Sequence, residues 1–302
     1  MLLLELNTCR LKMERVHQNP QSRFNLCSMS IRDFLNNHER INNTDIWEHQ
    51  IEAVRSIYQH FDNPDRPRIA LCVLPTGAGK SGVAVLSAYA CNPSRVLIIT
   101  PSETISIQLF RAFCDLDGNS FLVSKNVTDN GQFREKVRPT CRGIIRANQI
   151  QEAFLYDLVI ANAHRFNNVD LDIDLEFLPR NIDLVIVDEA HHYPARTWRR
   201  IVDYFDNANK LFLTATPSYR DGPILPNQDA CMCYTLQNQI LIDRRIIRPV
   251  DFDETLNNQN SPIPNFPDTT DGRKRRERFL EERAFMVIFL TFTFSNLDID
   301  TC

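Results

Sequence analysis

The chain has 302 residues, 43% of them hydrophobic and 24% charged, with a formal net charge of -4 at pH 7. That length allows one large core or two modest ones, and the apolar content excludes a chain too polar to fold. The acidic total excludes coating of nucleic acid through bulk positive charge, so any nucleic-acid role has to be argued from motifs.

Residues 1–44 are polar, rich in Asn and Arg and weakly periodic, and are taken as an N-terminal extension of uncertain order. Glu5 and Arg10 break the leucines of the first residues, leaving no apolar core of signal-peptide length. From Asp45 the pattern changes to short β-branched runs at 68–74, 95–100, 157–161, 183–187 and 211–215. These runs are continuously apolar rather than alternating, as expected of strands buried on both faces of a parallel sheet. Between them, 81–90, 103–113 and 195–205 are long enough for helices that cross back over the sheet. The expected architecture is α/β: a mostly parallel sheet with helices on both faces, spanning 45–222, with ligands beyond the carboxyl ends of the strands.

After Asp221 prolines recur at 223, 226, 249, 262, 264 and 267, and the rhythm of strand and helix is not visible, so 223–302 is read as an irregular segment. The apolar run 284–294 falls short of the roughly 20 residues that a membrane helix needs, and no membrane partner is expected. Nine cysteines (Cys9, Cys27, Cys72, Cys91, Cys114, Cys141, Cys231, Cys233 and Cys302) lack paired C-x-x-C spacing. They are read as reduced thiols of an intracellular protein, nuclear or cytoplasmic, with Cys231 and Cys233 a loop bearing two free thiols rather than a metal site.

Directly after the first run comes Leu74-Pro75-Thr76-Gly77-Ala78-Gly79-Lys80-Ser81, opening a helix. Glycines let the backbone curl so that amide N–H groups face a phosphate; Lys80 would reach the β and γ phosphates, and the Ser81 hydroxyl would ligate Mg²⁺. The strict pattern asks for Gly where Leu74 stands. A lone Gly-Lys-Ser string marks no more than a glycine-rich turn, but its place between a buried strand and a helix selects the phosphate loop. At the end of the 183–187 run stand Asp188-Glu189-Ala190-His191-His192. One carboxylate there can hold Mg²⁺ and its neighbour can polarise a water that attacks a γ-phosphate. In isolation an Asp-Glu pair is more often a solvated loop; its position on another strand of the same sheet argues for chemistry.

Taken in order, these strings resemble the superfamily 2 helicases and translocases. Leu74 to Ser81 resembles motif I, Asp188 to His191 the Asp-Glu-Ala-His box, and Thr214-Ala215-Thr216-Pro217 motif III. The string from Leu213 to Gly222 is most similar to the branch of type III restriction motor subunits and XPB-like DNA helicases. The resemblance covers about residues 45–222 and implies a RecA-like P-loop NTPase domain that uses ATP and Mg²⁺, with DNA as partner and RNA the open alternative. It implies nucleotide contacts from Pro75, Thr76, Gly77, Ala78, Gly79, Lys80 and Ser81, with Lys80, Asp188 and Glu189 at the chemistry and Ser81 and Asp188 on the metal. It further implies that Gln50, in Trp47-Glu48-His49-Gln50, reads adenine, although the residues alone would make it a surface helical Gln. Thr100-Pro101-Ser102 and Asn162, in Ala161-Asn162-Ala163-His164, are implied to meet a nucleic-acid backbone, which positions a strand without reading its sequence. His191, Thr214 and Thr216 are implied to couple nucleotide state to movement; His192 has the look of a neighbour.

Family motors use two such domains, the second supplying an arginine worth about 10³ to 10⁵ in rate. Residues 223–302 are too few and irregular for that domain, so a second domain or another chain is expected to supply the arginine. Gly272-Arg273-Lys274-Arg275-Arg276 reads as solvated surface or a nuclear-targeting cluster, and 285–294 has an aggregation-prone composition unless buried. The loss of pattern after about Val250 suggests an incomplete motor. The alternative to a motor is a module that binds ATP and nucleic acid without turnover.

Overall fold

The five apolar runs all form strands, and the crossings between them form helices. The computed structural model describes residues 24, 30–37, 45–115, 118–144, 156–167, 182–219 and 222–247. In chain order the main elements are α1 (Glu48–Asp62), β1 (Ile69–Val73), α2 (Lys80–Ala90), β2 (Val96–Thr100), α3 (Glu103–Cys114), β3 (Cys141–Ile144), β4 (Leu158–Asn162), β5 (Leu184–Asp188), α4 (Arg196–Tyr204), β6 (Asn209–Thr214), β7 (Ser218–Tyr219), β8 (Gly222–Pro223), β9 (Met232–Thr235) and α5 (Asn238–Asp243). Seven strands form one sheet in the order β3-β4-β2-β5-β6-β1-β9, with every pairing parallel, and β7 and β8 form a separate antiparallel ribbon.

Alternation along each strand divides the apolar side chains between two cores. Ala70, Cys72, Ile98, Ile160, Ile186, Leu211 and Leu213 face one core with α1, α2 and α3, while Leu71, Val73, Leu97, Ile99, Val185, Val187 and Phe212 face another with Trp198, Ile201 and Val202 of α4. Burial on both sides explains why these strands read as unbroken apolar runs. Each large aliphatic removed from water contributes about 1.5–3 kcal/mol, and the sheet collects this on both faces.

Two expectations need correction, and a third region gains detail. The sheet continues beyond residue 222: β9 lies on the outer edge of β1, with Leu71 opposite Met232 and Val73 opposite Thr235, and α5 follows it. The prolines that obscured this region in the sequence flank an edge strand rather than exclude one. Of the extension, whose order the sequence left uncertain, Phe24 is fully buried with its ring 4.9 Å from Tyr89 and 6.5 Å from Phe113. Residues 30–37 are helical and bury Ile31 and Leu35, and Arg32 pairs with Asp62 at 2.7 Å and donates to the Ala90 carbonyl. Finally, the cysteines are not all reduced thiols: Cys114, ending α3, and Cys141, opening β3, form a disulfide with Cα atoms 6.8 Å apart. Cys231 and Cys233 are free, but Cys233 lies on β9 with its thiol toward the Leu71 carbonyl rather than in a loop.

Among the described residues no helix is long and apolar enough to cross a membrane. The basic cluster 272–276 and the apolar run 285–294 lie outside the described residues.

Candidate active site

The loop between β1 and α2 contains two left-handed residues, Gly77 at φ +84° and Gly79 at φ +74°, on either side of buried Ala78. A side chain at either glycine would be strained, and at Gly79 its Cβ would also collide with the Gln50 amide. The curl delivers the chain into α2 at Lys80, where the opening N–H groups ahead of Gly82 have no intrahelical acceptor and give that end a positive field. This is the local geometry that receives phosphate oxygens.

The start of α1 braces the loop from the sheet side. His49 Nε2 lies 2.9 Å from the Ala78 carbonyl, and Gln50 Nε2 donates to the Gly79 carbonyl at 2.9 Å. Gln50 Oε1 accepts from the Trp47 N–H at 3.1 Å, closing the first turn of the helix. Gln50 is thus a buried brace, only 4% exposed, and not the surface helical residue that its sequence suggested. Its amide retains one N–H and one acceptor lone pair beyond these bonds. His49 was missed in the sequence; its one visible signal was its place beside Gln50.

Two strand positions away, with β6 between, β5 ends at Asp188. Adjacent strands are about 4.8 Å apart, so roughly 10 Å of backbone separates the two motifs. Lys80 spans it: its Nζ lies 3.4 Å from Glu189 Oε1. Burial, reinforced by the Glu189 charge, pushes the Asp188 carboxyl up to about 6, against the pull of Lys80 and the Glu189 N–H. Glu189 is held below the ordinary carboxylate range by its His191 contact and by Lys80, against burial. The backbone of Glu189 is left-handed, φ 51° and ψ 54°, where the chain leaves β5 for the 3₁₀ turn Ala190–His192. A non-glycine residue in that region is under local strain, which concentrates at functional positions.

From Glu189 the contacts continue. His191 Nδ1 lies 3.4 Å from both Glu189 Oε2 and Thr214 Oγ1. The Thr214 hydroxyl, fully buried at the end of β6, donates to the Thr216 carbonyl at 3.0 Å and accepts from the Thr216 N–H at 3.1 Å. Lys80, Glu189, His191, Thr214 and Thr216 therefore form one connected path. His192 stands beside it, its ring 4.2 Å from His191 and stacked at 5.5 Å on Trp198; burial and the neighbouring His191 lower its pKa.

The donor set suits a hard cation held by few protein groups. The Ser81 hydroxyl is exposed at the start of α2, the Asp188 carboxylate points into the same end of the sheet, and among the described residues no cluster of three or more His, Cys, Asp or Glu forms a cage. Mg²⁺ is commonly bound in this way, through one or two protein groups together with phosphates and water.

The positions implied for nucleic acid divide. Thr100 is fully buried, its hydroxyl engaged with Ser106 Oγ at 2.5 Å and the Ser102 carbonyl at 3.1 Å, so it shapes the turn from within. Pro101 and Ser102 are partly exposed, and Ser102 caps α3 by accepting the Ile105 N–H. Asn162 joins the two strand ends, accepting from the His164 N–H at 2.9 Å and donating to the Pro101 carbonyl at 3.3 Å.

The chain is similar in part to known proteins. Helicase 22 of Sulfolobus islandicus filamentous virus is 27% identical over 184 residues, covering 59% of this chain and 30% of that protein. The helicase/translocase subunit XPB/SSL2 of the general transcription and DNA repair factor IIH of Saccharomyces cerevisiae is 29% identical over 173 residues, 56% of this chain and 19% of that protein. The chain thus spans under a third of the length of these relatives. Among solved structures, a nuclease-deletion mutant of the type ISP restriction-modification enzyme LlaGI with a DNA substrate mimic gives a TM-score of 0.45 at 17% identity, over 67% of this chain and 20% of that one. The helicase domain of Pyrococcus furiosus Hef gives 0.42 at 18% identity, over 61% and 38%. Residues 43–219, more than half of the chain and the stretch that holds the phosphate loop, the Asp-Glu pair and the Thr214 hub, match the model of the type III restriction enzyme res subunit family, and the chain belongs to that family.

Proposed function

We propose that this chain is the ATP-binding domain of an ATP-dependent DNA motor of the helicase or translocase kind. In this reading Lys80 and the amide groups of the loop from Pro75 to Ser81 hold the nucleotide phosphates, and Ser81 and Asp188 hold Mg²⁺. Glu189 orients and polarises the attacking water. Bound Mg²⁺ would neutralise charge on the β and γ phosphate oxygens. Gln50 has an N–H and a lone pair with which to meet adenine. The observation that carries the reading is the 3.4 Å approach of Lys80 to Glu189, which brings the phosphate-binding cation and the candidate base to one point from strands about 10 Å apart.

The path through His191, Thr214 and Thr216 supports coupling, because a change at Glu189 is felt within two contacts at the end of β6. Pro101, Ser102 and Asn162 offer the hydroxyl, amide and backbone groups that position a nucleic-acid backbone. DNA is favoured because the relatives from several organisms are named helicase/translocase subunits of a DNA repair factor. A second motor domain or a partner chain supplies the arginine that stabilises charge on the transferring phosphoryl group.

The test is ATP hydrolysis by the purified chain with and without single- and double-stranded DNA, with Lys80→Ala and Glu189→Gln as controls. DNA-stimulated turnover lost in both variants supports the proposal. ATP binding that depends on Lys80 but is never followed by hydrolysis supports the module without turnover, and greater stimulation by RNA overturns the choice of DNA.

A further inference from the structure

The bond between His49 and the phosphate loop acts on a particular peptide plane. In a trans peptide the carbonyl of one residue and the N–H of the next point in opposite directions. Fixing the Ala78 carbonyl on the α1 side therefore aims the Gly79 N–H away from α1, into the hollow of the loop. The Gly79 carbonyl is held by Gln50 and also accepts the Gly82 and Val83 N–H groups of α2. The Ala78 carbonyl has no such helical support, and His49 is the partner that fixes it. Gly79, at positive φ on the far side of this plane, leaves it free to turn over unless it is held.

The state of the histidine follows from its partner. A carbonyl only accepts, so Nε2 carries the proton and Nδ1 of the neutral ring is a lone-pair acceptor. That Nδ1 is buried without a hydrogen-bond partner, and the whole residue is 0% exposed. A buried acceptor left unpaired is a standing cost, and an apolar ring would pack there without it. What the imidazole supplies and an apolar ring cannot is the Nε2 donor.

We infer that His49 is a positioning residue for the nucleotide phosphates, its Nε2–H holding the Ala78–Gly79 peptide so that the Gly79 N–H donates to a phosphate oxygen. The inference rests on the ATP reading of this loop and goes beyond it, since His49 touches neither nucleotide nor metal. Removing the donor frees the plane to turn its carbonyl toward the phosphate, exchanging an attraction for a repulsion.

The experiment is calorimetric titration of the full chain and its variants with Mg·ADP, alongside their melting temperatures. His49→Phe keeps a ring and loses the donor; His49→Gln places an amide N–H at the reach of Nε2. The expected result is nucleotide binding weaker by about three- to tenfold in His49→Phe at an unchanged or higher melting temperature, corresponding to one hydrogen bond. His49→Gln should return to within about twofold of the wild type. Wild-type affinity in His49→Phe, with affinity lost in Lys80→Ala, overturns the inference and leaves the ATP site standing. A folded His49→Gln that binds no better than His49→Phe, or than Lys80→Ala where His49→Phe fails to fold, also overturns it. Binding indifferent to Lys80→Ala overturns the ATP reading itself.

Discussion

Asp188→Asn should stabilise the fold at alkaline pH and do so less in acid. The Asp188 carboxyl is raised from 3.8 to about 6, first by burial and then by the Glu189 charge. With the folded pKa above the unfolded one, the folded chain holds this proton to higher pH, so the group's contribution is greatest below about pH 4. It is lost progressively as pH rises through 6. A displacement of about two pH units corresponds to at most about 3 kcal/mol, and relaxation of the site brings a realistic figure to about 1–2 kcal/mol. Asparagine has the size of the protonated acid, keeps an acceptor for the Glu189 N–H and carries no charge, so it avoids the loss. Urea unfolding of both proteins at pH 5 and pH 8 measures the effect. The advantage of the variant should grow by about 1 kcal/mol between the two and level off above pH 7. An equal advantage at both pH values, or destabilisation at both, would refute the assignment of Asp188 as an acid that is costly to ionise.

The same carboxylate predicts that Mg²⁺-dependent nucleotide binding weakens below pH 6, approaching tenfold per unit, because proton and metal compete for it; titration calorimetry from pH 5 to 8 tests the slope. Gly79→Ala should cost about 1–3 kcal/mol and weaken nucleotide binding, since it forces a side chain into left-handed backbone and against the Gln50 amide; melting curves and binding isotherms report both. Phe24→Ala should cost about 3–5 kcal/mol in urea unfolding, because the ring is fully buried against Tyr89 and Phe113, whereas a neutral result would mean that this segment does not stabilise the domain. Thr214→Val should retain ATP binding while reducing DNA stimulation of hydrolysis, since it keeps the shape and removes the hydroxyl that joins His191 to Thr216.

What the sequence made legible depended on where each residue's neighbours lie. The strands β1, β2, β4, β5 and β6 are buried on both faces, so their composition announced them to within one or two residues. The edge strands β3 and β9 did not stand out: β3 carries Arg142 and Gly143, and β9 is four partly exposed residues, because an edge has fewer neighbours to demand apolar side chains. Lys80, Asp188 and Glu189 stood out as candidates because ionisable side chains beyond the carboxyl ends of strands suggest chemistry, and the fold brings Lys80 and Glu189 together. His49 was not, because its role is to hold a backbone carbonyl, a task that leaves no spacing to read. The surroundings of Thr100 were hidden for the opposite reason: a hydroxyl at a strand end suggests an outward contact, and only the fold reveals that Ser106 and Ser102 already use it.

In the proposed motor, the charges of the site give its parts a way to act together. Glu189 meets the Lys80 ammonium at one oxygen and the His191 ring at the other, each at 3.4 Å. A phosphate oxygen drawn to Lys80 competes directly with Glu189 for that ammonium, and whatever hold Lys80 gives up leaves Glu189 more dependent on His191. His191 is shared in turn with the Thr214 hydroxyl, so a tighter bond to Glu189 weakens its contact with the turn that Thr214 shapes. The sequence of exchanges needs no large motion, since each step trades one partner for another at hydrogen-bonding range. Its direction is fixed by charge: adding anion at the phosphate loop strengthens the Glu189–His191 contact at the expense of Thr214, and removing it reverses the balance.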